Sequence, residues 1–181
     1  MKTHELFEHM SPELAAEVFR YLQSEQKPVY KAAIQGLANQ RNLRPVFVER
    51  KPPQERHPWM KAALGRAISN MLATHLLQSW LLGAHKPMLC TFLDSLGIAH
   101  DDDGTVEQIP AAPPKEKVAG AVAQLLAAHN PETVAVYLHA FRQMDSAAEW
   151  PALRQILEED PRLRIRARGE VAPASGPSVT P

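Results

Sequence analysis

Eight histidines, one cysteine and a short acidic run are the side chains in this sequence suited to metal, nucleophilic or acid–base chemistry. His4-Glu5-Leu6-Phe7-Glu8-His9 has the residue types of a zinc-protease helix. That chemistry needs two histidines four apart, so that both rings share one helical face beside a glutamate base. Here they are five apart, about 140° further round the helix. His4 with Glu8, and Glu5 with His9, therefore read as surface pairs. His75 and His85 are ten apart, as are His129 and His139; neither spacing brings two rings to one metal. His75, among Leu72, Leu76 and Trp80, reads as a hydrogen-bonded interior histidine. His85 and His129 precede Lys86-Pro87 and Asn130-Pro131, where the negative end of a helix dipole favours a cation.

His100-Asp101-Asp102-Asp103-Gly104 has the oxygens for a divalent cation but not the ligand spread of a calcium loop, because Glu107 comes too early. It reads as a turn. Cys90 lies between Leu89 and Phe92 without a nucleophile elbow and reads as a small core residue. The eight glycines form no phosphate-binding or dinucleotide loop. No catalytic set, metal site or cofactor emerges, and the expectation leans away from an enzyme.

Charge is more informative. Lys+Arg and Asp+Glu both number 20, so the formal net charge is zero. That argues against a uniformly basic nucleic-acid binder. Its distribution is uneven. Residues 41–66 carry a net +5, residues 100–160 a net −7 and residues 161–181 a net +3. In the first of these, Arg41, Arg44, Arg50, Lys51 and Arg56 are interleaved with Phe47 and followed by Trp59. Guanidinium groups beside aromatic rings suit phosphates, stacked bases or acidic protein surfaces. These seven residues form the candidate partner-binding site. A protein partner or a second copy of the chain is expected, with nucleic acid as the alternative; the plainest reading is a solvated or self-pairing face. The arginine-rich segment starting at Arg162 alternates with period two, as an edge strand or a basic arm would.

The elements that position these residues are punctuated by proline. Pro12, Pro28, Pro58, Pro87, Pro131 and Pro151 each read as helix openers, since proline at the first turn loses no hydrogen bond. Ser11 and Asn130 supply N-cap oxygens. Helices are expected over residues 12–25, 28–39, 58–84, 87–96, 114–128, 131–143 and 149–158. The 58–84 helix, apolar on most sides in its second half, reads as a central spine. Its uncharged stretch from Ala67 to Ala84 is about as long as a membrane span, but Asn70, His75, Gln78 and Ser79 favour burial in protein. A short extended segment is expected near 43–50, and a small β-hairpin near 97–109 with its turn at Asp102-Asp103-Gly104.

The fold class is therefore mainly α: an irregular multi-helix bundle, or a superhelical pile of helical hairpins, around one long helix. One domain over 1–161 is expected, with possible sub-lobes 1–51 and 57–161, then a disordered basic, proline-rich tail over 162–181. Leucines recur six residues before Pro12, Pro28, Pro87 and Pro131, but these prolines are 16, 59 and 44 residues apart, too irregular for a solenoid. The stretch Met10-Ser-Pro-Glu-Leu-Ala-Ala-Glu-Val18 resembles a phrase in the helical domains of flagellar motor-switch proteins and magnesium-transporter N-domains. It covers nine residues of generic helix-start chemistry, so no membership follows. With a single cysteine and no leader-like N-terminus, the chain is expected in the cytoplasm. The functional expectation is a non-catalytic helical scaffold or adaptor, with a homodimer among its expected forms.

Overall fold

A computed structural model describes residues 1–102, 104, 106, 113–143 and 150–165. The described residues are mainly helical and contain no strand. Ten α-helices follow one another: α1 (Thr3–His9), α2 (Pro12–Glu25), α3 (Lys27–Gln40), α4 (Pro45–Glu49), α5 (Pro53–Leu64), α6 (Asn70–Ala84), α7 (Lys86–Leu96), α8 (Lys115–Ala128), α9 (Pro131–Phe141) and α10 (Pro151–Glu159). Short 3-10 turns occupy Ala67–Ser69 and Pro161–Leu163. No helix among the described residues is long and apolar enough to cross a membrane.

Proline and side-chain oxygens start the helices as expected at most positions. Ser11 Oγ accepts the Leu14 N–H at 3.1 Å, and Asn130 Oδ1 accepts the Glu132 N–H at 2.9 Å. Pro12, Pro28, Pro87, Pro131 and Pro151 all lie in first turns. Pro58 does not. It lies inside α5, which opens at Pro53. As the sixth residue of the helix it lies beyond the N–H groups that a helix start leaves unpaired, so the Gln54 carbonyl loses its i+4 donor.

The expected long helix over 58–84 is two helices with a break. Gly65 caps α5, the Ala67–Ser69 turn follows, and α6 starts at Asn70. Ser69 secures the break, donating to the Ala63 carbonyl at 2.9 Å and standing 2.7 Å from Gln40 Oε1. The central helix is the shorter α6, which packs against α1, α2, α3, α5 and α7. Its Ala73, Leu76, Leu77, Trp80 and Leu81 are buried. One hydrophobic cluster runs from Leu6 to Leu163.

Three further expectations change. The segment near 43–50 is helical (α4) rather than extended. Its apparent alternation is one turn of helix started by Pro45 and anchored by the buried Val48. In the 97–109 region, residues 97–102 are irregular and a turn closes with Gly104 N–H on the Asp101 carbonyl at 2.9 Å; the rest of the expected hairpin lies largely outside the described residues. Of the expected tail, residues 162–165 are described and Leu163 is fully buried against the core; residues 166–181 lie outside the described set.

Helix α1 is an addition to the sequence reading. Leu6 and Phe7 are fully buried. His4, expected at the surface, is buried, and its Nδ1 lies 3.0 Å from Asn70 Oδ1. The Glu5 carboxylate accepts the Lys2 N–H instead of pairing with His9. His75, expected inside, is exposed.

Three other histidines sit where a proton is unwelcome. Burial, then Arg56 and Arg20, hold His57 below its ordinary pKa. Burial also lowers His85, against the pull of Glu17, so its helix-end position does not make it a favoured cation. His139 is pushed down to about 4, chiefly by burial and then by the N-terminal amine, while the Leu163 backbone pulls the other way and Arg142 adds to the depression.

Two outcomes follow. Glu132 accepts both the backbone N–H and the hydroxyl of Ser11, tying α9 to the cap of α2. Ser11→Ala is expected to lower stability by about 1–2 kcal/mol in urea denaturation. The depressed histidines bind protons more readily when unfolded. Their contribution is therefore complete above the unfolded value of 6.5 and is lost as pH falls toward about 4. The urea midpoint is expected to drop across that window, and less steeply in His139→Gln.

Candidate functional site

The seven sequence-predicted residues are distributed along the end of α3, the whole of α4 and the first turns of α5. The turn between α3 and α4 is set locally. Asn42 takes a left-handed conformation, φ 54°, which asparagine tolerates better than most residues. Its N–H reaches the Asn39 carbonyl at 3.1 Å, and the Leu43 N–H reaches the Ala38 carbonyl at 2.9 Å. This is a Schellman ending, with asparagine in the place glycine usually takes. Two residues later Pro45 starts α4.

That geometry divides the seven. Arg56 turns inward and is only 8% exposed. Its Nη1 donates to the Glu49 carbonyl at 2.9 Å, its Nη2 lies 3.4 Å from Gln23 Oε1, and its guanidinium stands 5.6 Å from the Tyr30 ring centre. It clamps the start of α5 onto α2, α3 and the end of α4. Arg41 lies over the half-buried Trp59 ring at 5.4 Å, a cation–π contact within the chain. Lys51 pairs with Glu55 at 3.2 Å, one helical turn on. These four have partners of their own.

Arg44, Phe47 and Arg50 face solvent. Their backbones take part in the helix-end hydrogen bonds, but neither guanidinium has a hydrogen bond or ion pair among the described residues. Phe47 is 57% exposed, and Leu43 and Val46 are each about 40% exposed. Of the seven large hydrophobic residues exposed among the described residues, five fall between positions 43 and 71, the other two of these being Ile68 and Met71. The turn carrying Ile68 is held against the end of α3 by the Ser69–Gln40 contact.

The site is thus an apolar ridge on one short helix with a guanidinium at each end. Leu43 and Val46 were missed as site residues because an extended segment hides half its side chains by alternation. The available signal was Pro45 preceded by a possible asparagine stop, which favours a new helix over a strand.

Among the described residues no group of three or more His, Cys, Asp or Glu is placed to hold a metal ion. Cys90 is half-buried and unpaired with any other cysteine. No protein-family model, curated protein or solved structure matches the chain.

The division of roles is measurable. Arg56→Ala is expected to cost about 2 kcal/mol of stability, because it leaves buried acceptors without a charged donor. Arg50→Ala is expected to change stability by no more than about 0.5 kcal/mol. Paired urea melts check both values.

Proposed function

We propose that this protein is a non-catalytic helical interaction module that docks a protein partner on the α4 ridge. The observation supporting this most is the solvent-facing Phe47, with Leu43 and Val46 beside it and the unpaired Arg44 and Arg50 at its ends. Aromatic and arginine side chains are the groups that dominate binding energy at protein interfaces. Large hydrophobic residues gathered on one surface, and not scattered, mark interaction sites.

The chemistry of the partner follows from that of the ridge. Its surface offers an apolar pocket or groove for Phe47 with carboxylates at the rim for Arg44 and Arg50. Rim charges of this kind steer encounter and set orientation, while the buried aromatic anchor sets the lifetime of the complex. A second copy of this chain is a candidate, since residues 100–160 carry a net −7. The helical pile behind α4 would serve as the scaffold, with Val48 and Arg56 fixing the ridge to it.

A protein partner fits better than nucleic acid. Trp59, the larger aromatic of the segment, is half-buried under Arg41 and has little ring left for a base to stack on.

Affinity purification from the source cell, followed by mass spectrometry, tests the reading. The wild-type chain is expected to retain a defined protein that Phe47→Ser combined with Arg44→Glu and Arg50→Glu loses, with unchanged circular dichroism. Retention of the same partner by the triple variant would overturn it. So would recovery of nucleic acid with steeply salt-dependent binding.

A further inference from the structure

Helices α1, α6, α7 and α9, with Gly104 and Val106 beyond α7, line a cavity of about 260 Å³ whose rim includes the partly exposed Leu82. Its walls are chiefly Leu77, Leu81, Leu93, Tyr137 and Phe141. The aromatic wall is held in place by neighbours. Phe92 packs edge-on against Tyr137 at 5.5 Å and against Phe141 at 5.4 Å, and Phe141 packs on the buried Trp150 at 5.2 Å. A wall braced in this way does not readily collapse into the space beside it. Left empty, an apolar cavity forgoes the dispersion contacts its lining would otherwise make. The volume exceeds the roughly 150 Å³ that accepts benzene in an engineered apolar cavity.

One end of the cavity is polar. Thr3 Oγ1 donates to Gln143 Oε1 at 3.0 Å. The Thr74 hydroxyl stands 3.0 Å from Thr3 Oγ1 and 2.9 Å from the Asn70 carbonyl, with one proton to give between them. The two hydroxyls keep lone pairs for an incoming donor. Among the described residues lining the cavity none carries a formal charge, and a charged group entering it would be desolvated with no counter-ion among them.

We infer that this cavity binds a small amphipathic molecule, with an aliphatic or aromatic body against the leucine and aromatic walls and an uncharged hydroxyl or amide head at Thr3, Thr74 and Gln143. The site is separate from the α4 ridge and does not depend on it.

The neutral fluorophore N-phenylnaphthylamine probes the site directly. Titrated into the full chain, it is expected to bind saturably, one per chain, and to be displaced by octanol but not by octanoate or octylammonium at neutral pH. Ala140→Leu fills the cavity from α9, and Leu82→Trp narrows it from the exposed rim of α6. Each is expected to weaken the probe by about tenfold or more, a change of about 1.4 kcal/mol, with native circular dichroism. Because Leu82 is partly exposed, the second variant keeps the test open if the first fails to fold. Thr74→Val is expected to retain the probe but to need several-fold more octanol for displacement. Phe47→Ser is expected to bind the probe like wild type, which separates this site from the ridge. Absence of saturable binding would overturn the inference, as would full-strength binding in folded Leu82→Trp or displacement by octanoate as effective as by octanol.

Discussion

Gly65 has room for a hydrogen and little more. A methyl group there would stand 3.1 Å from Glu8 Cα and 3.2 Å from Glu8 Cβ in α1, and a backbone atom at that distance cannot swing aside. The end of α5 and the end of α1 are therefore in direct backbone contact. The Lys61 ammonium reinforces this by donating to the Glu8 carbonyl at 2.8 Å. With α1 held there, Phe7 reaches Phe19 of α2 at 6.1 Å, His4 meets Asn70 at the start of α6, and Thr3 meets Thr74 and Gln143. A seven-residue helix thus touches α5, α6 and α9 together. The polar end of the cavity exists only because α1 is delivered to that position.

The break between α5 and α6 serves the same arrangement. A continuous helix from Pro58 to Ala84 would span roughly 40 Å and would carry its C-terminal half away from α1. Gly65, the 3-10 turn and Ser69 let the chain change direction without leaving its carbonyls unpaired. Ser69, bonded to the Ala63 carbonyl and in contact with Gln40, also brings the end of α3 to the break. From there Asn42 and Pro45 lead into α4. The exposed ridge and the cavity thus both depend on this break.

Much of the helical content was legible because its signals are local. Proline in a first turn, a serine or asparagine cap, and Gly97 in a left-handed stop act within four residues of where they sit. Gly97 and Asn42 close the same Schellman pattern, but glycine is the stronger stop signal. Asparagine takes that conformation less often, so its signal is weaker. The extended reading of 43–50 failed for a related reason. Five residues do not distinguish a single helical turn from a strand by periodicity.

The candidate site was legible as a segment but not as a surface. Its charge and aromatic content stood out in the sequence, yet Arg56 and Arg50, six residues apart, have opposite environments: one buried against Tyr30 and Glu49, the other in solvent. His4 and His75 were likewise exchanged between inside and outside. The sequence by itself determined where most helices begin and end, the mainly helical class and the uneven placement of charge, because capping, proline geometry and composition depend on near neighbours. Only the tertiary structure decided which arginines are available, that α1 is a wedge, and that four helices come together to line a cavity. Those features depend on which distant backbones approach within van der Waals contact, and that approach is set by packing across the whole chain.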